Sequence, residues 1–242
     1  MTNENKSIDL FEKQKIKPAW KNASDFESAI GGLVKTHMDS GLYFFEFLGV
    51  KIRKNPCDLM TIQEMITKLR PDNIIETGGG FGGSAVFYAM IMDYLDLPGK
   101  VYTADLLVYN LDPMERFAKK FKGRLKYFQK AMSIGFSVID NTLVPEVGGK
   151  NNLVLLDSYH GAEYVFTEME VYSQFVQPGG YMVVEDTCLS GHPVWGKYPK
   201  TMKGPMEAVD RFIGMYDNWV IDRSCEKHLM TYNPRGYLRR IG

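Results

Sequence analysis

Acidic residues close four short apolar runs of this chain. They are Glu76, Asp105, Asp157 and the adjacent pair Glu185-Asp186. In a parallel sheet such ends share one edge, the edge where ligands bind. Asp157, Glu185 and Asp186 would then crowd one small region, and carboxylates so placed repel unless something positive sits among them. A hard divalent cation such as Mg²⁺ suits three oxygen donors and keeps waters that a substrate hydroxyl can displace. One condition attaches. Neighbours in a strand point to opposite faces, so Glu185 and Asp186 can share an ion only where the strand has already broken. An acid here could instead pair with Lys or Arg, or cap a helix. His160 follows Asp157 by three residues on the same edge. It could take a proton from an alcohol, ligate the metal, or be an ordinary hydrogen-bonded loop histidine.

Ahead of these acids runs IIETGGGFGGS, residues 74–84. Glycines at 78, 80 and 82 allow a sharp turn and a close approach of bare backbone to a ligand. The N–H groups opening the next helix, from Gly82 to Ala85 with Ser84 among them, would face that ligand with the positive end of the helix dipole. Gly78, Gly80 and Gly83 fit the G-x-G-x-x-G dinucleotide fingerprint. Glu76, Gly78, Gly80 and Gly82 fit E-x-G-x-G-x-G, which resembles the first motif of class I S-adenosylmethionine (SAM) methyltransferases. Either reading gives a nucleotide-like cofactor. Asp105 can accept hydrogen bonds from two ribose hydroxyls or serve as a turn acid, and Ser133, past the third strand, joins the candidate cofactor contacts.

The elements that must position these residues follow from punctuation and period. Residues 1–20 read as a loose arm. Residues 25–48 are rich in apolar and aromatic side chains and should pack on the core, over a ligand or on another subunit. Asp58 reads as the N-cap of a helix carrying Leu59, Ile62, Met65, Ile66 and Leu69 at helical spacing. Strands are expected at 73–77, 100–104, 125–129, 152–156 and 181–184, with helices at 84–95, from 112, at 134–143, 162–175 and 205–216. A long polar loop, 187–203, carries His192, Pro193 and Trp195, which could line a substrate mouth. Residues 219–222 and 228–232 read as a closing antiparallel pair. Alternating strand and helix gives an α/β, Rossmann-like, doubly wound and mostly parallel sheet with a helical N-terminal extension. Residues 1–55 would form the arm and a lid or oligomerisation segment, and 56–242 the catalytic domain.

Lysine plus arginine and aspartate plus glutamate both number 29. Without a basic excess, nucleic acid and membrane surfaces are poor partners. Cys57, Cys188 and Cys225 form no C-x-x-C pair, so a reducing, cytoplasmic setting is expected. No stretch is long and apolar enough to cross a bilayer.

The run from Leu48-Gly49-Val50 through Asn55-Pro56-Cys57-Asp58-Leu59, Gln63-Glu64 and the glycine loop resembles the cephalosporin hydroxylase family, which includes the rhamnosyl O-methyltransferases. LVLLDSYH, VQPGGYMVVEDT, GHPV, GPMEAVDRF and TYNPRGYLRR agree with it. The resemblance implies a class I methyltransferase fold, SAM on the glycine loop and Asp105, and Mg²⁺ on Asp157, Glu185 and Asp186. The expected activity is Mg²⁺-dependent O-methylation of a hydroxyl on a sugar or small natural product, with Asp157 or His160 as base and a homo-oligomeric assembly. Leu107 stands where the family often has a second acid, and Tyr159 and Ala162 where it often has aspartate and histidine. The alternatives are a nicotinamide-dependent oxidoreductase and a SAM-binding protein without catalysis.

Overall fold

The computed structural model describes residue 10 and residues 23–107, 112–120, 123–135, 137–189 and 203–242. His192, Pro193, Trp195 and most of the N-terminal arm lie outside them. Among the described residues the first elements are α1 (Ala23–Asp39) and a hairpin of β1 (Phe44–Phe47) and β2 (Val50–Arg53). Phe47 pairs with Val50, so Leu48 and Gly49 alone make the turn. Both have positive φ, 52° and 78°, as a two-residue type I′ turn requires. No alternation in the sequence announced this hairpin.

The main body follows as α2 (Pro56–Leu69), β3 (Asn73–Thr77), α3 (Gly83–Tyr94), β4 (Val101–Asp105), α4 (Asp112–Lys120) and β5 (Leu125–Gln129). A helix was expected over 134–143; instead a π-helical turn at Ile139–Leu143 runs on into α5 (Val144–Val147). Gly135 there accepts the Ile139 N–H in a turn instead of entering a helix. Then come β6 (Asn152–Leu156), α6 (Ala162–Ser173), β7 (Tyr181–Val184), α7 (Pro205–Met215), β8 (Trp219–Ile221) and β9 (Tyr237–Arg240).

Seven strands form one sheet in the order β5-β4-β3-β6-β7-β9-β8. The first five are parallel, and β9 runs antiparallel to both β7 and β8. Successive strand residues feed opposite faces. Ile75, Val154, Leu156 and Val184 pack with Met169 and Tyr172 of α6 and Phe212 of α7. Ile74, Leu153, Leu155 and Val183 pack with Ile62 and Met65 of α2 and Tyr88 and Met92 of α3. The sheet is thus doubly wound, as the class I methyltransferase fold requires. Its order reverses between β3 and β6, which opens a crevice at their carboxyl ends.

Two sequence expectations change. Asn55, not Asp58, caps α2: its side chain accepts the Cys57 N–H at 2.9 Å. Asp58 is buried and ties down the C-terminal region by accepting from Thr231 Oγ1 (2.5 Å), the Tyr232 N–H (2.8 Å) and Tyr237 Oη (3.0 Å). Residues 228–232 are therefore a tethered loop, and β9 supplies the antiparallel strand. Burial pushes the Asp58 carboxyl up to about 6 against the pull of these hydrogen bonds. Asp58→Ala strands buried donors and should lower unfolding free energy by about 3 kcal/mol, read from urea midpoints at neutral pH.

Candidate active site

The crevice is a cavity of about 840 Å³ at the carboxyl ends of the strands, within the usual range for small-molecule sites. At one end the chain leaves β3 and turns at Gly78. Its φ is +73°, and a Cβ there would stand 1.9 Å from the Asp157 carbonyl oxygen. Only glycine fits. A Cβ at Gly83 would come within 2.3 Å of the Lys51 carbonyl oxygen, so the first turn of α3 rests on β2. Asp105 stands at the end of β4. Its Oδ2 accepts the Gly80 N–H at 2.8 Å, and its Oδ1 the Leu107 N–H at 2.7 Å. Each oxygen keeps a further lone pair for a ligand. Leu106, Leu107 and Met132 line the same end and are exposed, offering apolar contact to a flat ring.

Gly78, Gly80, Gly83, Ser84, Asp105 and Ser133 all line this cavity, whereas Glu76 and Gly82 do not. Glu76 lies within β3 opposite Thr103 of β4, whose Oγ1 donates to it at 2.8 Å. It supports the loop instead of facing a ligand. Gly82 turns toward Met114. Ser133 lines the wall, but its hydroxyl donates to Glu168 and contacts Tyr164 Oη at 3.0 Å.

At the other end Asp157, His160 and Asp186 come together, with one donor atom from each within 4.8 Å of the others. His160 Nε2 lies 3.5 Å from Asp186 Oδ2. The strand does break at Asp186: its φ is +56°, and its N–H donates to Asn233 Oδ1 at 2.8 Å. Burial pushes the Asp186 carboxyl up to about 6, with the neighbouring His160 pulling the other way.

Glu185 is not brought into that set. Its Oε1 accepts from Lys54 Nζ at 2.7 Å, and the same ammonium donates to Asp157 Oδ2 at 2.7 Å. Both residues lie past the end of β7 at Val184, where the positive φ of Asp186 turns its carboxylate toward His160 and Glu185 reaches Lys54. Burial holds the Glu185 carboxyl well above the usual carboxylate range despite Lys54. For Lys54, burial alone would favour the neutral amine, but Asp157 and Glu185 outweigh it and hold the ammonium charged. Sequence reasoning missed Lys54 because nothing in its spacing connects it with acids a hundred residues away. It likewise gave no individual role to Met38, Tyr43, Leu189 and Tyr232, which wall this end of the cavity.

Residues 40–241 match the rhamnosyl O-methyltransferase/CmcI family. The chain belongs to that family. A rhamnosyl O-methyltransferase of Mycobacterium leprae is 32% identical over 200 residues, covering 80% of this chain and 82% of that protein. One from Mycobacterium bovis is 32% identical over 198 residues, 80% of this chain and 77% of the other. Among solved structures, CmcI with Mg and SAM aligns at a TM-score of 0.58 and 16% identity, covering 82% of this chain and 77% of that one. A Bacillus cereus O-methyltransferase in complex with S-adenosylhomocysteine (SAH) gives 0.51 and 13%, over 79% and 81%. These two likenesses establish the fold. Family membership makes the chain a SAM-dependent O-methyltransferase, in line with the second of the two glycine templates.

Behind the cavity wall, Glu168 of α6 is fully buried. Burial pushes its carboxyl up to about 7, and the Ser133 hydrogen bond opposes this. The folded chain therefore binds this proton more tightly than the unfolded one. The stability it contributes is complete below the ordinary glutamate value and is lost as pH rises through about 7. Glu168→Gln removes the ionisation and keeps an acceptor for Ser133. The fall in urea midpoint between pH 5 and pH 8 should be smaller in the variant than in wild type.

Proposed function

We propose that this chain is a Mg²⁺-dependent O-methyltransferase that methylates a hydroxyl of a sugar or small natural product. The carrying observation is one cavity with a glycine-and-Asp105 cradle at one end and Asp157, His160 and Asp186 at the other. The names of the mycobacterial relatives support a sugar hydroxyl as acceptor.

The residues fit both groups. Gly80 faces open space in the cavity, and a Cβ built there meets nothing within 4 Å, so a ligand can lie against its backbone. Asp157 and Asp186 supply the hard oxygen donors that Mg²⁺ prefers. Bound there, SAM supplies the methyl group for the acceptor oxygen, and Mg²⁺ lowers that oxygen's proton affinity as a Lewis acid.

The chain's own residues do the rest. Asp105 receives the ribose hydroxyls on its remaining lone pairs, and Leu106, Leu107 and Met132 cover the adenine. Asp157 and Asp186 hold the ion. Imidazole is a poorer Mg²⁺ ligand than carboxylate, which leaves His160 Nε2 to take the hydroxyl proton. Asp157 suits that task less well, because its Oδ2 is already engaged by Lys54 Nζ. Met38, Tyr43, Leu189 and Tyr232 exclude water from the acceptor end, and fixing both reactants in one cavity supplies much of the rate.

Among the described residues no helix is long and apolar enough to cross a membrane. Leu33, Leu42, Phe44 and Leu48 stay exposed on the N-terminal segment, and they support a homo-oligomer.

Asp105→Ala should weaken SAH binding at least about tenfold by calorimetry, the loss of two hydrogen bonds to a charged group. Asp186→Ala should keep SAH affinity within a few-fold, lose Mg²⁺ binding, and lose methyl transfer to a panel of methyl glycosides. Full activity of Asp186→Ala in the presence of a chelator would sink the metal reading.

A further inference from the structure

One face of β2 presents two cations to the cavity. Val50 and Ile52 are buried, while Lys51 and Arg53 alternate with them and are exposed. Both line the cavity. Lys51 belongs to the cofactor end, where its Nζ stands 5.6 Å from the centre of the Phe81 ring in the glycine loop. Arg53 belongs to the other end. It pairs across the hairpin with Phe44, next to the wall residue Tyr43, and its guanidinium carbon lies 5.9 Å from the Phe44 ring centre. Asp186 is near enough to feel its charge.

Arg53 has no ionic partner at that end. Among the described residues no carboxylate lies within ion-pair distance of it, and no acceptor takes its N–H groups. The acids around it are committed elsewhere. Asp157 and Glu185 pair with Lys54, and Asp186 faces His160. Residues 190–202 contain two lysines and no acid. The Phe44 ring steadies the guanidinium by cation–π attraction without using up its five donors. A fork of donors so placed matches a carboxylate or a phosphate, either of which it can hold through two hydrogen bonds.

We propose that the methyl acceptor carries an anionic group, a carboxylate or a phosphate, and that Arg53 binds this group while the hydroxyl to be methylated faces His160. Arg53 is then a specificity-determining residue that selects acidic acceptors over neutral ones of the same shape. A neutral sugar leaves the guanidinium in water and gains nothing from it. The inference rests on the proposed function for where the acceptor lies, and it adds the charge that the acceptor bears.

The test measures calorimetric affinities of the full chain, saturated with SAH, for matched pairs of compounds that differ in charge. Methyl glucuronide is set against methyl glucoside, glucose 1-phosphate against glucose, and 4-hydroxybenzoate against 4-hydroxybenzyl alcohol. In at least one pair the anionic member should bind about tenfold more tightly, the gain of charge-assisted hydrogen bonds. Arg53→Gln should abolish that margin, Arg53→Lys should keep a few-fold of it, and both should hold SAH affinity within about twofold of wild type. A margin in the glucuronide pair identifies a sugar acid, and one in the phosphate pair a sugar phosphate. A margin in the phenol pair alone upholds the anionic acceptor and removes the sugar. Equal binding or none within every pair overturns the proposal. So does a margin that survives Arg53→Gln, or a loss of SAH affinity in place of the margin. Failure of the proposed function shows separately, as the absence of methyl transfer from SAM to every member, because the margin is read from binding alone.

Discussion

Like charges crowd the carboxyl edge of this sheet, and the rest of the site is arranged around keeping them there. Glu76, Asp157, Glu185 and Asp186 stand on three adjacent strands or just past their ends, mostly out of water. Carboxylates in such surroundings give up their charge or find a partner. Lys54 is the partner for three of them, and it comes from outside the doubly wound body, at the end of the β1–β2 hairpin. The hairpin is therefore held to the strand ends by charge as well as by apolar packing. His160 faces the fourth acid, Asp186, across 3.5 Å.

Backbone geometry supplies the second constraint. The glycine loop must pass between β3 and the Asp157 carbonyl with no side chain in the way, and it does so at Gly78. Asp105 then fixes the loop by accepting the Gly80 N–H. The same carboxylate is thus a structural anchor and a candidate ligand group, and its two lone pairs per oxygen allow both. Glu76, two residues before Gly78, serves the loop from within the strand. In this fold the acid of the glycine motif supports the cradle instead of lining it.

The strands at 73–77, 152–156 and 181–184 were legible because buried parallel strands are short apolar runs between turn residues. The strand at 228–232 was misread for the same reason. Residues 228–232 are apolar enough to look like a strand, but Asp58 captures them from across the molecule and β9 takes the place in the sheet. Asp58 itself looked like a cap because its position suits one. Its buried hydrogen bonds, from residues more than 170 positions away, have no local signature.

What the sequence determined by itself was the alternating order of elements, the glycine turn and the placing of acids at the strand ends, since these depend on local periodicity and on residue types that turns demand. Tertiary structure decided which acids face one another. The turn that follows β7 sends the Asp186 carboxylate to His160 and Glu185 to Lys54, a division set by the positive φ of Asp186. The hairpin sets Lys54 among acids with which it shares no sequence pattern. Charge pairing acts across space, and the spacing of letters along a chain carries no record of it.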